Sequence, residues 1–318
     1  MSATLEPPAA KKPPLTTPGF HENVPYEEYD QLDAERWSTL KLYSKSAKDG
    51  RHKELMADRS TGALDFGRAF HCAILEPELF AKLYVSQPRW QHGANTIIGK
   101  AERKDWAETN KEKAALTADE WDELAAMQEA VMAHPLASAI LYGTYGPKPG
   151  KNELTVVWKG PGEGKLCKCR LDRFTRIPIR LLDASSPNGD QLALVCADIK
   201  TTKSAEPAAN KFPKDAAEYG YHGQFGYYDD GLQTLRPMPV TFLVIAIEKP
   251  NKARSNAIDI VVYQVGDDLL SQGKVLYRRL RDRRDTAIST KKYPGISDQL
   301  VQLYLPAWAE ESEDEGDE

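Results

Sequence analysis

Cys167-Lys168-Cys169-Arg170-Leu171-Asp172 and, further along, Val195-Cys196-Ala197-Asp198-Ile199-Lys200-Thr201-Thr202 are the two stretches that decide the fold. Both are apolar or alternating enough to read as β-strands, and side chains two apart on a strand face the same way. Asp198 and Lys200 therefore share a face, with Asp172 close to them if the strands pair. Val195, Cys196, Ala197 and Ile199 make the second strand largely apolar, as in a central strand buried on both faces. Charges at the end of such a strand are costly unless they are paired or hold a metal. The bland alternative is a salt-bridged strand edge; the apolar context favours a site. Two acids and a lysine so placed are the minimal equipment for metal-assisted phosphodiester hydrolysis. Carboxylate oxygens hold Mg²⁺, and an ammonium positions and polarises the attacking water.

Working outward, the coarse order is helices, three strands, a helix, two strands and a long helix. A short helix is expected over Ser38 to Lys48, helical spacing runs from Leu64 to Tyr84, and residues 101–133 are helical with a break near Leu116. Thr117-Ala118-Asp119-Glu120 has the capping-box form, so a new helix starts there. Strands are expected at Leu154–Trp158, Leu166–Phe174 and Leu192–Lys200, a helix at Ala216–Gly231, strands at Val240–Ile247 and Ala257–Val265, and a basic helix from Asp267 to Ile288. The implied class is α/β, a central mixed β-sheet flanked by helices with a helical N-terminal region. Between Asp172 and Asp198 an elaborated loop is expected, with Pro187-Asn188-Gly189-Asp190 at its tip.

Residues 1–20 are rich in Pro, Ala and Lys and are expected to be disordered; 21–309 form the folded domain, and 310–318 a disordered acidic tail. Net charge is −5, which argues at first against a nucleic-acid partner, but removing the seven acids of that tail takes it to +2. A basic block from Lys274 to Lys292 then stands out, most often a solvated helix face but dense enough in arginine to track phosphates. The four cysteines are embedded in apolar runs rather than spaced as disulfides. With no apolar stretch long enough to span a bilayer and no signal-type leader, no membrane association and a cytoplasmic location are expected.

Several motifs, in order, resemble the PD-(D/E)XK nuclease superfamily, and within it the RecE-like (exodeoxyribonuclease VIII) phage recombination exonucleases, related to the RecB nuclease domain and lambda exonuclease. Gly67-Arg68-Ala69-Phe70-His71 with Leu75-Glu76-Pro77 resembles the family's helical histidine motif, and Glu153-Leu154-Thr155-Val156 its first acidic strand. Cys167 to Asp172 resembles the C-K-x-R-x-D strand, Asp198 to Thr202 the D-x-K-T-T strand, and Tyr221-His222-Gly223-Gln224-Phe225-Gly226-Tyr227-Tyr228 the Q-x-x-x-Y helix. Phe242 to Glu248 and Tyr304-Leu305-Pro306-Ala307-Trp308 are similar to the family's ending. The resemblance covers about residues 24 to 309; Leu171 stands where the superfamily name has proline, a position that supplies no catalytic group.

The resemblance implies a restriction-endonuclease-like core in which Asp172 and Asp198 ligate Mg²⁺, with Mn²⁺ able to substitute. The Ile199 carbonyl and His71 would complete the metal shell, and Lys200 would activate water. Glu153 either touches a second metal or only begins a strand. Gln224 and Tyr228, neighbours on one helix face, would orient the scissile phosphate or support Lys200, with Gly223 and Gly226 allowing close approach. Lys168 and Arg170, on the face of Asp172, either neutralise substrate phosphates or pair with the acids; Thr201 and Thr202 are further nucleic-acid-binding candidates. Taken alone, His71 would read as a packed core histidine. No iron–sulfur cluster is expected, because no cysteine follows Cys196. The implied activity is 5′→3′ exonuclease on linear duplex DNA ends, leaving a 3′ strand for a RecT-type single-strand annealing protein. A homo-oligomeric ring and a phage- or prophage-encoded origin in a bacterial cell go with it. An endonuclease, a single-strand exonuclease or a catalytically silent DNA-binding module stays open.

Overall fold

The computed structural model describes residues 14–56, 62–162, 164–250 and 257–305. Residues 1–13, the acidic tail and Pro306–Trp308 of the expected ending lie outside that range. The chain begins with β1 (Gly19–His21), α1 (Tyr26–Gln31), α2 (Trp37–Lys41), α3 (Ala47–Leu55), α4 (Gly62–Leu75) and α5 (Pro77–Leu83). Next come β2 (Tyr84–Ser86), α6 (Ile97–Thr109), β3 (Ala114–Leu116), α7 (Ala118–Ala133) and α8 (Pro135–Tyr142). Strands β4 (Lys151–Lys159), β5 (Leu166–Pro178) and β6 (Leu192–Thr202) lead to α9 (Phe212–Glu218) and α10 (Tyr221–Leu235). Last are β7 (Thr241–Glu248), β8 (Ile260–Gln264) and α11 (Asp267–Thr290).

The sheet runs β1-β4-β5-β6-β7-β8; β6 and β7 are parallel and every other neighbouring pair is antiparallel. One face is covered by α4, α7 and α8, through Phe70, Met127 and Ile140 against Val195, Ile199 and Ile245. The other is covered by α2, α10 and α11, through Trp37, Phe225 and Leu280 against Val156, Cys196 and Val244. The mixed sheet with helices on both faces is the architecture read from the sequence. No single helix among the described residues is long and apolar enough to cross a membrane; α7 and α8 together are, but with a 94° bend between them.

Several local differences have physical causes. Ser46 caps α3 by accepting from the Asp49 amide at 3.1 Å, splitting the expected Ser38–Lys48 helix in two. Gly220, at φ 68°, divides the expected Ala216–Gly231 helix, and only glycine takes that conformation freely. The capping box at Thr117 and Glu120 forms as read. Gly19 and Phe20, assigned above to the disordered segment, stand in β1 against Val157 and Val156. The expected long loop after Asp172 is mostly strand: β5 and β6 pair from Arg173–Ala197 to Pro178–Leu192, leaving 179–191 as the connection.

The basic block is not a phosphate surface along most of its length. Lys274 pairs with Asp229 and Asp230, Arg278 with Asp230, and Arg284 with Glu54. Arg283 donates to the carbonyls of Tyr43 and Ser44. Arg281 is buried and donates twice to Glu35. Arg281, Arg283 and Arg284 fasten α11 to the N-terminal segment, and Lys274 and Arg278 fasten it to α10.

Candidate active site

Strands β5 and β6 separate where the acids stand. Their ladder ends at Arg173–Ala197, so Asp172 and Asp198 follow at the fork. Ile199, no longer facing a β5 carbonyl, donates its N–H to Asp172 Oδ2 at 2.8 Å. Side-chain alternation also breaks here: Leu171 packs with the α10 face, whereas Arg173 donates to the Ile140 carbonyl of α8 on the opposite face. Opposite Asp172 in the β4–β5 register, Glu153 has φ 48°, a strained conformation for a non-glycine residue. Such outliers cluster at functional sites. The kink turns both carboxylates into one cleft of about 580 Å³, also lined by His71, Arg170, Lys200, Thr201 and Tyr221.

His71, Glu153 and Asp172 each offer a ligand atom, all within 4.8 Å of one another. His71 Nδ1 lies 3.4 Å from Asp172 Oδ2, and the Ile199 backbone accepts a hydrogen bond from the ring. Burial, then the Lys200 charge, pulls the imidazole below its usual pKa, leaving it neutral and able to ligate. Burial and the Asp198 charge push Asp172 up to about 7; burial and the Asp172 charge push Glu153 up to about 7. Two carboxyls held reluctant to ionise beside a neutral imidazole fit a hard divalent cation, which would favour their charged forms. This puts Glu153, the least certain of the sequence candidates, in the middle of the cluster.

Asp198 faces the other way. Its Oδ2 lies 2.6 Å from Lys200 Nζ, and its Oδ1 accepts from Gln224 Nε2 at 2.5 Å. Gln224 Oε1 in turn accepts from Lys200 at 3.4 Å, so one amide spans the acid and the lysine. Burial opposes the Lys200 charge, but Asp198 and Asp172 outweigh it and raise its pKa. Lys200 is therefore an ammonium at neutral pH, stacked over Tyr221 at 4.9 Å. Tyr228 lines a smaller cavity of about 210 Å³ behind Asp198 and Lys200, together with Trp37 and Gln224.

Other candidates are placed elsewhere. Lys168 is buried and donates to the carbonyls of Tyr29 (2.7 Å), Asp30 (3.1 Å) and Leu32 (2.7 Å), which end α1. It is a helix cap, not a phosphate contact, and this corrects the reading above. Arg170 reaches the cleft but is held by Glu153, by the Val24 carbonyl at 2.8 Å and by Glu76 at 3.8 Å. Thr201 lines the cleft, whereas Thr202 bonds locally to Ser204. Gly223 and Gly226 admit protein, not substrate: a Cβ would stand 2.2 Å from the Trp37 ring at the first and 2.5 Å from the Gly273 backbone at the second. Tyr221, which opens the Tyr221–Tyr228 motif, was not among the expected site residues, yet it lines the cleft.

His71→Ala is expected to weaken divalent-metal affinity on the order of 10–100-fold, the usual cost of losing even an outer partner of a metal. Titrating Mg²⁺ and Mn²⁺ against activity and melting temperature checks this; a loss of thermal stability with unchanged metal dependence would instead mark a packed core histidine.

A family model described as a PDDEXK-like domain of unknown function (DUF3799) matches residues 37–177. Among solved structures, a proposed exonuclease from Eubacterium rectale superposes with a TM-score of 0.54 at 12% identity, covering 90% of this chain and 97% of that one. Comparison with curated proteins finds no match. The family match places a PDDEXK-like domain at residues 37–177, and the superposition shows a shared fold.

Proposed function

We propose that this chain is a divalent-metal-dependent deoxyribonuclease, acting as a 5′→3′ exonuclease on linear duplex ends. The observation that carries the reading is the fork at Asp172. It brings His71, Glu153 and Asp172 within ligand distance of each other, with the Asp198–Gln224–Lys200 set on its far side. A cation held by the first three would lower the pKa of a water and neutralise phosphate charge. The Lys200 ammonium, fixed by Asp198 and Gln224, donates to the attacking water and stabilises negative charge on the phosphate. The Ile199 N–H holds the Asp172 carboxylate in place. The resemblance adds the finer terms: Mg²⁺ as the metal, a 3′ single strand as the product, a RecT-type annealing protein as its recipient and a ring as the assembly.

Digestion of end-labelled linear duplex beside a closed circle, with Mg²⁺ or Mn²⁺, tests this. Label released from the linear duplex alone, and only with metal, is the expected result. Nicking of the circle would mark an endonuclease, digestion of single strands alone a single-strand exonuclease, and no cleavage in either metal a silent DNA-binding module.

The raised acids also set a pH dependence. A carboxyl whose folded pKa lies above its unfolded value makes the metal-free protein lose stability as pH rises from about 4 to about 7. A cation at the site removes that penalty, so the gain in melting temperature with Mn²⁺ should be small near pH 5 and full by about pH 8. A metal-induced shift that stays constant across this range would contradict the assignment of Glu153 and Asp172 as ligands.

A further inference from the structure

Arg278, Arg281, Arg283 and Arg284 of α11 are taken up by internal partners, while Arg279 is exposed, and further cations without an ion-pair partner stand elsewhere. Lys41 and Lys45 follow one another through the turn after α2, Lys48 stands in the first turn of α3 beyond the extended Ser46, and Lys45 and Lys48 meet in the lining of one groove. Lys45 and Lys48 are exposed. None of the three, nor Lys292 after α11, has an ion-pair partner among the described residues. Lys45, Lys48, His52 and Lys292 line one open groove of about 1150 Å³, and the Lys48 amide donates to the Pro294 carbonyl at 3.1 Å, fastening its two walls together. Two acids reach this groove, Asp49 and Asp298, and Asp49 is neutralised by Lys53 at 2.7 Å.

The inner end of this set meets the candidate active site through two aromatic rings. Lys41 Nζ lies 5.5 Å from the centre of the Tyr219 ring, Tyr219 stacks on Tyr221 at 5.9 Å, and Tyr221 lies 4.9 Å from Lys200 Nζ. Tyr219 is 53% exposed. An aromatic step beside the reacting centre, followed by a set of free ammonium groups, suits a nucleic-acid strand, whose bases stack on rings while its phosphates meet cations.

We propose that the set of Lys41, Lys45 and Lys48, with Lys292 on the opposite wall, is the track that holds one strand of the DNA as it leads to Lys200, with Tyr219 as a base-stacking step at its inner end. The proposal rests on the nuclease reading for its substrate, but its test does not require cleavage.

Binding of a fluorescent linear duplex is measured against salt concentration in EDTA, for the whole chain, for Lys45→Ala/Lys48→Ala, and for Lys100→Ala/Lys104→Ala on α6, which removes the same charge. The expected result is a log–log salt dependence shallower by about 2 and affinity roughly five- to tenfold weaker for the first pair alone. In Mg²⁺ the same pair should raise KM and leave kcat near its original value. Tyr219→Ala should weaken binding of a duplex with an intact end but make no further difference when the end base is abasic. An unchanged salt dependence, or an equal change in both lysine pairs, overturns the track. Should the first pair fail to fold, Lys45→Gln/Lys292→Gln gives the same reading. If binding follows the lysines while no metal supports cleavage, the nuclease reading fails and the track stands.

Discussion

Asp198→Ala and Lys200→Ala should each lower metal-dependent cleavage on the order of a thousandfold or more, equivalent to about 4 kcal/mol of transition-state stabilisation. The two groups lie 2.6 Å apart and share Gln224, so they act as a unit and the double variant should lose little more than either single one. DNA binding should survive, because neither side chain is needed to bury a core. Steady-state and single-turnover kinetics on a labelled duplex check this. Residual cleavage within about tenfold of the original protein would remove Lys200 from the chemistry. Gln224→Ala should fall between, since it leaves both charges in place and frees only their orientation.

The largest effect on stability is expected far from the cleft. Arg281 donates from Nε (2.8 Å) and Nη2 (2.6 Å) to Glu35 Oε1, and both side chains are buried. Removing one member of such a pair leaves a charge without its partner inside the protein, which typically costs about 3–5 kcal/mol. Lys165, 3.4 Å from Glu35 Oε2, compensates in part, so Arg281→Ala should fall near ~3 kcal/mol, a drop of roughly 5–10 °C in melting temperature. Replacing both partners with apolar residues, Arg281→Met with Glu35→Leu, should recover most of it. A single substitution within about 1 kcal/mol of the original protein would show that the pair is solvated in solution.

The elements with strong local signals were legible in the sequence. Apolar runs marked β4 to β7, the Thr117–Glu120 capping box marked α7, and the motif order placed Asp172, Asp198 and Lys200 at one point in the sheet. What could not be read depends on partners distant in sequence. Lys168 looks like a phosphate ligand on its strand; only the approach of α1 gives its ammonium three carbonyls to bind. The basic run of α11 looks like a nucleic-acid surface until Asp229, Asp230, Glu35 and Glu54 are folded against it. Glu153 could not be assigned because its role depends on a positive φ that no residue-type preference predicts. Conversely, Lys41, Lys45 and Lys48 drew no notice in a segment of ordinary composition and gain significance from what surrounds them.

His71, Glu153 and Asp172 are expected to hold the divalent cation that cleavage requires. Direct measurement of bound Mn²⁺ by electron paramagnetic resonance, on the original protein and on Glu153→Gln/Asp172→Asn at neutral pH, tests it. Stoichiometric Mn²⁺ is expected in the original protein, and its loss, together with cleavage, in a variant that still melts cooperatively. Undiminished Mn²⁺ occupancy in that variant, or cleavage by the original protein in EDTA, would contradict it.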